Sequence, residues 1–214
     1  MRIPRWCIIA FIVVAALTGS AIVLALRPAL SALAVKRDIA RIRDGKFDEK
    51  ALRQWTSKHG GRVTCANGRC EGSIYIANML LNVLHLAPLT RFDAEVDLAN
   101  NQPVQIVLSL SDVQYLRGVS GATTSVVINY QATNGWPGAE DSVVLGGPHG
   151  KRPSRSYIVR QGSSQSAVAL AFCINPWCLA QLGGCTPNQQ APGIWALPLT
   201  TAPPGESPAL PKAR

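Results

Sequence analysis

The chain has 214 residues, a net charge of +9 and 47% hydrophobic residues, enough for one ordinary domain plus extensions. The charge is uneven: residues 1–62 carry +8, residues 63–150 carry −4 and residues 151–214 carry +5. A basic nucleic-acid-binding domain is therefore not indicated, and no basic-aromatic interleaving supports one.

The first element is an uncharged block, WCIIAFIVVAALTGSAIVLAL, from Trp6 to Leu26. As a helix it would be about 30 Å long, the thickness of a hydrocarbon core. Arg2 and Arg5 precede it and Arg27-Pro28 closes it. The reading is an uncleaved anchor over residues 1–27, with the bilayer as its partner through residues 6–26. A cleaved signal ending near Ala32-Leu33-Ala34 is the alternative. Flanking charges do not orient the segment, because Arg27, Lys36, Arg37 and Arg41 offset Arg2 and Arg5.

Residues 28–61 read as a helical juxtamembrane stalk whose small apolar stripe packs on the domain beyond. Val35, Ile39 and Ile42 share a helical face, and Gly45 ends that helix. A second helix starts at Asp48 as N-cap, with Phe47 and Leu52 as a hydrophobic staple and Gly60-Gly61 as the stop.

From Arg62 the period changes to two. VTCANGRCEG is a hairpin with a type I′ turn at Asn67-Gly68, which sets Cys65 opposite Cys70 and favours a disulfide. IANMLLNVLHLAP continues a strand to about Ala77 and then turns helical, with His85 half-buried. RFDAEVDL and VQIVLSLS form a second hairpin. Leu98 faces Val104, Val96 faces Ile106 and Ala94 faces Leu108, so Asp93, Glu95 and Asp97 line the outer face. TSVVINYQ, SVVL, SYIVR and SAVALAF read as further strands. Residues 62–185 are thus expected to form an antiparallel β-sandwich-like domain, making the chain α+β or mainly β. Residues 186–214, rich in proline, read as an extended, largely disordered tail, with Trp195 in GIWALPL as the residue that could dock a short piece of it.

Cys173, Cys178 and Cys185 form a second group, in which Cys178–Cys185 is the favoured bridge and Cys173–Cys185 the alternative. Cys65-x4-Cys70 with Cys173-x4-Cys178 could instead make a zinc site in a cytosolic protein, and free thiols are the third reading. Disulfides fit an extracytoplasmic domain better. No cofactor or metal is assigned, and no nucleophile or phosphate motif is present. The candidate contact surface combines Trp136, between Gly135 and Pro137, with the basic residues Lys151, Arg152 and Arg155.

The resulting expectation is a single-pass, membrane-anchored envelope protein. Its β-rich extracytoplasmic domain would bind a protein partner or an assembly. An enzyme with a site built from dispersed residues is one alternative. A pilin-like subunit is another, although the glycine-acid pattern of a processed pilin N-terminus is absent.

Overall fold

The computed structural model describes residues 5–44, 47–114, 122–130, 142–145, 154–160, 163 and 165–197. Helix α1 (Arg5–Asp44) is unbroken over 40 residues, about 60 Å at 1.5 Å per residue. Pro28 lies inside it rather than closing it. A proline removes one N–H from the ladder, and packing of the following turns holds the helix on course. The two halves differ in burial. Side chains of the apolar first half are exposed, Phe11 at 75% and Leu17 at 66%. In the second half Ala29, Ala32, Val35, Ile39 and Ile42 are buried on one stripe. The apolar stripe of residues 28–42 is thus packed on the domain, as expected, and belongs to its core. Lys36 Nζ donates to the Ile174 carbonyl at 2.7 Å and fastens α1 to the C-terminal region.

Helix α2 (Glu49–Lys58) begins at Asp48, whose carboxylate accepts from the Ala51 N–H at 2.8 Å. Phe47 and Leu52 are both buried, as a staple requires. Leu52, Trp55 and Thr56 form its buried face, and full burial of a leucine contributes about 1.5–3 kcal/mol.

Among the described residues seven strands follow: β1 (Arg62–Ala66), β2 (Arg69–Ala77), β3 (Leu89–Ala99), β4 (Gln102–Gln114), β5 (Thr123–Asn129), β6 (Ser142–Leu145) and β7 (Ser154–Arg160). They make one sheet in the order β1-β2-β3-β4-β5-β7-β6. All pairs are antiparallel except β5 with β7, which run parallel. A short helix α3 (Met79–Val83) joins β2 to β3.

The β3–β4 hairpin has Val96 opposite Ile106, Ala94 opposite Leu108 and Phe92 opposite Leu110. The register shifts at its end, so that Leu98 faces Pro103 rather than Val104. Asn100 and Asn101 both adopt positive φ, 52° and 60°, and close a two-residue turn.

Among the described residues there is no second sheet, so the sandwich expectation is replaced by a sheet with a helical layer. Phe92, Ala94, Val96, Ile106, Leu108, Leu110, Val126, Ile128, Tyr157 and Val159 line the inner face and are buried. Helices α1 and α2 cover part of that face. The C-terminal segment covers the rest: α4 (Gln165–Ala171), a 3-10 turn (Pro176–Ala180) and α5 (Pro187–Gln190). Two expectations are corrected here. SAVALAF forms α4 rather than a strand, because Ala167 and Ala171 meet the sheet at helical spacing. The stretch after Cys185 is packed as far as Leu197, with Gln190, Ala191 and Ile194 fully buried, and residues 198–214 of the expected tail lie outside the described residues.

Candidate functional site

Two disulfides are present, Cys65–Cys70 and Cys178–Cys185. The first follows from the β1–β2 register. Asn67 and Gly68 take φ of 51° and 75°, Ala66 pairs with Arg69, and Cys65 meets Cys70. The second closes a loop in which Gly183 and Gly184 both have positive φ. Gly183 N–H donates to the Leu86 carbonyl at 2.7 Å, linking this loop to the connection after α3. Cys7 and Cys173 are free thiols. The Glu49 carboxylate lies within 4.8 Å of the Cys65 and Cys70 sulfurs. Those sulfurs are bonded to each other, so the group offers a metal no thiolate.

The outer face of the sheet holds the acidic row. Because side chains alternate, Glu71 on β2 and Asp93, Glu95 and Asp97 on β3 share this face. Glu71 sits directly opposite Asp97. Burial pushes the Glu95 carboxyl above its ordinary range, and the charges of Glu71, Asp93 and Asp97 push it further. Burial and the Glu71 charge do the same to Asp97, against a smaller opposing pull from Arg69. Asp93 is raised by burial, while the Arg91 guanidinium, 2.6 Å away, works against the shift. Arg91 also stacks over the exposed Tyr75 ring, 5.1 Å from its centroid. No buried apolar side chain lies on this face among the described residues. A cleft of about 450 Å³ runs along its end, lined by Thr64, Arg69, Glu71, Asp97 and Gln105.

Of the expected contact surface, Trp136, Lys151 and Arg152 lie outside the described residues. Arg155 is corrected from a surface residue to a buried one, 6% exposed. On β7 its side chain takes the inward parity shared with Tyr157 and Val159. It donates from Nη1 to the Ile194 carbonyl and lies over the Trp195 ring, 5.3 Å from the centroid.

Arg155 belongs to a buried polar group at one end of the inner face. Thr90 Oγ1 donates to Asp112 Oδ1 at 2.8 Å, and Gln190 Nε2 donates to Asp112 Oδ2 at 3.2 Å. Thr124 Oγ1 donates to Gln190 Oε1 at 3.0 Å and accepts from Trp195 Nε1 at 2.8 Å. Burial raises the Asp112 carboxyl above its ordinary range, against the opposing hydrogen bonds from Thr90, the Ala122 backbone and Gln190. This group is missing from the reading of the sequence. Its signal is parity: Thr90, Asp112, Thr124 and Arg155 hold inward positions at the same end of four neighbouring strands.

The two described histidines lie on different elements. His59 caps α2, and its Nε2 lies 2.9 Å from Asp38 Oδ2. His85 is exposed rather than half-buried, with φ of 55° in the loop after α3. His149 lies outside the described residues. No protein family, curated protein or solved structure matches the chain.

Proposed function

We propose that this chain is a single-pass membrane protein whose disulfide-bonded domain stands on the extracytoplasmic side. There it acts as a binding module through the open acidic face of its sheet. The anchor reading is supported by one helix long and apolar enough to cross a membrane, with its first half exposed. Two disulfides in the domain support an oxidising compartment.

One observation carries the binding reading. Glu71 and Asp97 face each other on a sheet face that no described helix covers, beside a partly buried Glu95. Like charges directly opposed cost stability. Glu71, Glu95 and Asp97, grouped beside the buried, Arg91-paired Asp93, suit a cationic partner better than they suit the fold. A photocrosslinking residue at Thr64 or Tyr75, both exposed on that face, should yield a discrete adduct in native membranes. The adduct should weaken when Glu71, Glu95 and Asp97 become amides. Absence of any adduct from both positions would count against the reading.

A second reading, a pilin-like assembly subunit, is favoured by the continuity of α1, whose exposed apolar half runs without a break into a half packed on the sheet. It requires helix-to-helix contacts along residues 6–26 between copies. Crosslinks between copies from that stretch, with filaments visible by electron microscopy, would favour it over a solitary anchor.

A further inference from the structure

We infer that the domain does not hang free of the membrane but rests on it, through a collar of apolar side chains set around the exit of α1. This rests on the anchor reading above. The geometry begins with β2. Its last residues, Tyr75, Ile76 and Ala77, line one cleft of about 490 Å³ together with Leu24, Arg27, Pro28 and Ser31 of α1. That end of the sheet therefore lies level with the end of the apolar block. The hairpin turns at Asn67-Gly68 and Asn100-Asn101 lie at the opposite end, where the Asn100 N–H donates to the Gly68 carbonyl at 3.2 Å. Strand β3 spans 11 residues, so the two ends are about 30 Å apart.

The connection from β2 to β3 leaves the sheet at the end beside Arg27, and its helix α3 touches α1. Met79 (63% exposed), Val83 (70%), Leu84 (53%) and Leu86 (47%) project from it into solvent. Leu182 is 66% exposed and lies beside them, because Gly183 is bonded to Leu86. Leu30, one turn beyond Leu26 on α1, is exposed as well. A soluble domain rarely gathers large aliphatic side chains on two adjoining loops without a partner.

Two arguments identify the partner as lipid. The patch is continuous with the exposed apolar half of α1, so a bilayer holding residues 6–26 reaches these loops without another molecule. Polar groups sit where headgroups would lie: Arg27, Ser31, Lys58 and His59 line the same cleft, and cationic side chains at that depth attract anionic headgroups.

The test uses the full chain with both disulfides intact and the free thiols removed by Cys7→Ala and Cys173→Ala. A single cysteine is placed at Leu84, at Leu182 or, as the distant control, at Gln102, all exposed, and is labelled with an environment-sensitive fluorophore. The chain is reconstituted in phosphatidylcholine vesicles containing phosphatidylglycerol, floated, and quenched with nitroxide-bearing lipid. Labels at 84 and 182 should be quenched several-fold more than the label at 102. Flotation with equal, weak quenching at all three positions would overturn the collar and leave the anchor standing. A blue-shifted label at 84 that nitroxide lipid does not quench would assign the patch to a protein contact and also overturn it. Failure to float would remove the anchor and the collar together.

Discussion

The side-chain amide of Gln190 donates to the buried Asp112 carboxylate at 3.2 Å, across 78 residues of chain. The same side chain accepts from Thr124 and donates to the Ala122 carbonyl, so one residue of the C-terminal segment completes the polar end of the sheet core. Gln190→Leu keeps the volume but leaves Asp112 short of a donor and the Thr124 hydroxyl without its acceptor. Each orphaned group costs about 1–3 kcal/mol. A clear fall in the denaturation midpoint is expected, and an unchanged midpoint would show that the segment after Cys185 is not part of the cooperative unit.

Gly72 marks where α2 lies flat on β2. A Cβ there would come within 2.5 Å of Leu52 Cδ1 and 2.9 Å of Thr56 Cγ2. Leu52 is fully buried and has no free side to move into. Gly72→Val is expected to destabilise by about 1–3 kcal/mol, the usual cost of overpacking. Adding Leu52→Ala should recover part of that loss, which denaturation of the single and double variants would measure.

The acidic row makes stability depend on pH. Asp93, Glu95 and Asp97 have folded-state values above the ordinary 3.8 and 4.5. The folded chain therefore holds its protons longer than the unfolded chain. The contribution of these groups falls as pH rises from the ordinary values through the raised ones. Glu71→Gln removes a charge that raises both Glu95 and Asp97. It is expected to stabilise the domain at neutral pH by about 0.2–1 kcal/mol. The gain should vanish at acid pH, where the carboxyls are protonated in either case. Thermal denaturation at both pH values checks the sign.

Legibility in the sequence followed from local rules. The type I′ turn at Asn67-Gly68 and strict alternation placed Cys65 against Cys70, and the same alternation set most of the β3–β4 register. The cap at Asp48 and the staple of Phe47 with Leu52 located α2. Long-range competition was not legible. SAVALAF alternates well enough for a strand, but the sheet was already complete beside β5 and its alanines suited a close helical contact. Pro28 looked like a stop because the packing that carries α1 past it comes from residues far along the chain. Arg155 looked exposed because arginine usually is, whereas the Trp195 ring and the Ile194 carbonyl receive it from a segment whose prolines suggested disorder.

The most direct test of the account is the thiol state of the full chain, trapped by acid in intact cells and alkylated without reductant. The expected result is modification of Cys7 and Cys173 alone, with Cys65, Cys70, Cys178 and Cys185 becoming reactive only after reduction. Modification of Cys65 or Cys70 before reduction would contradict a disulfide-bonded domain beyond the membrane.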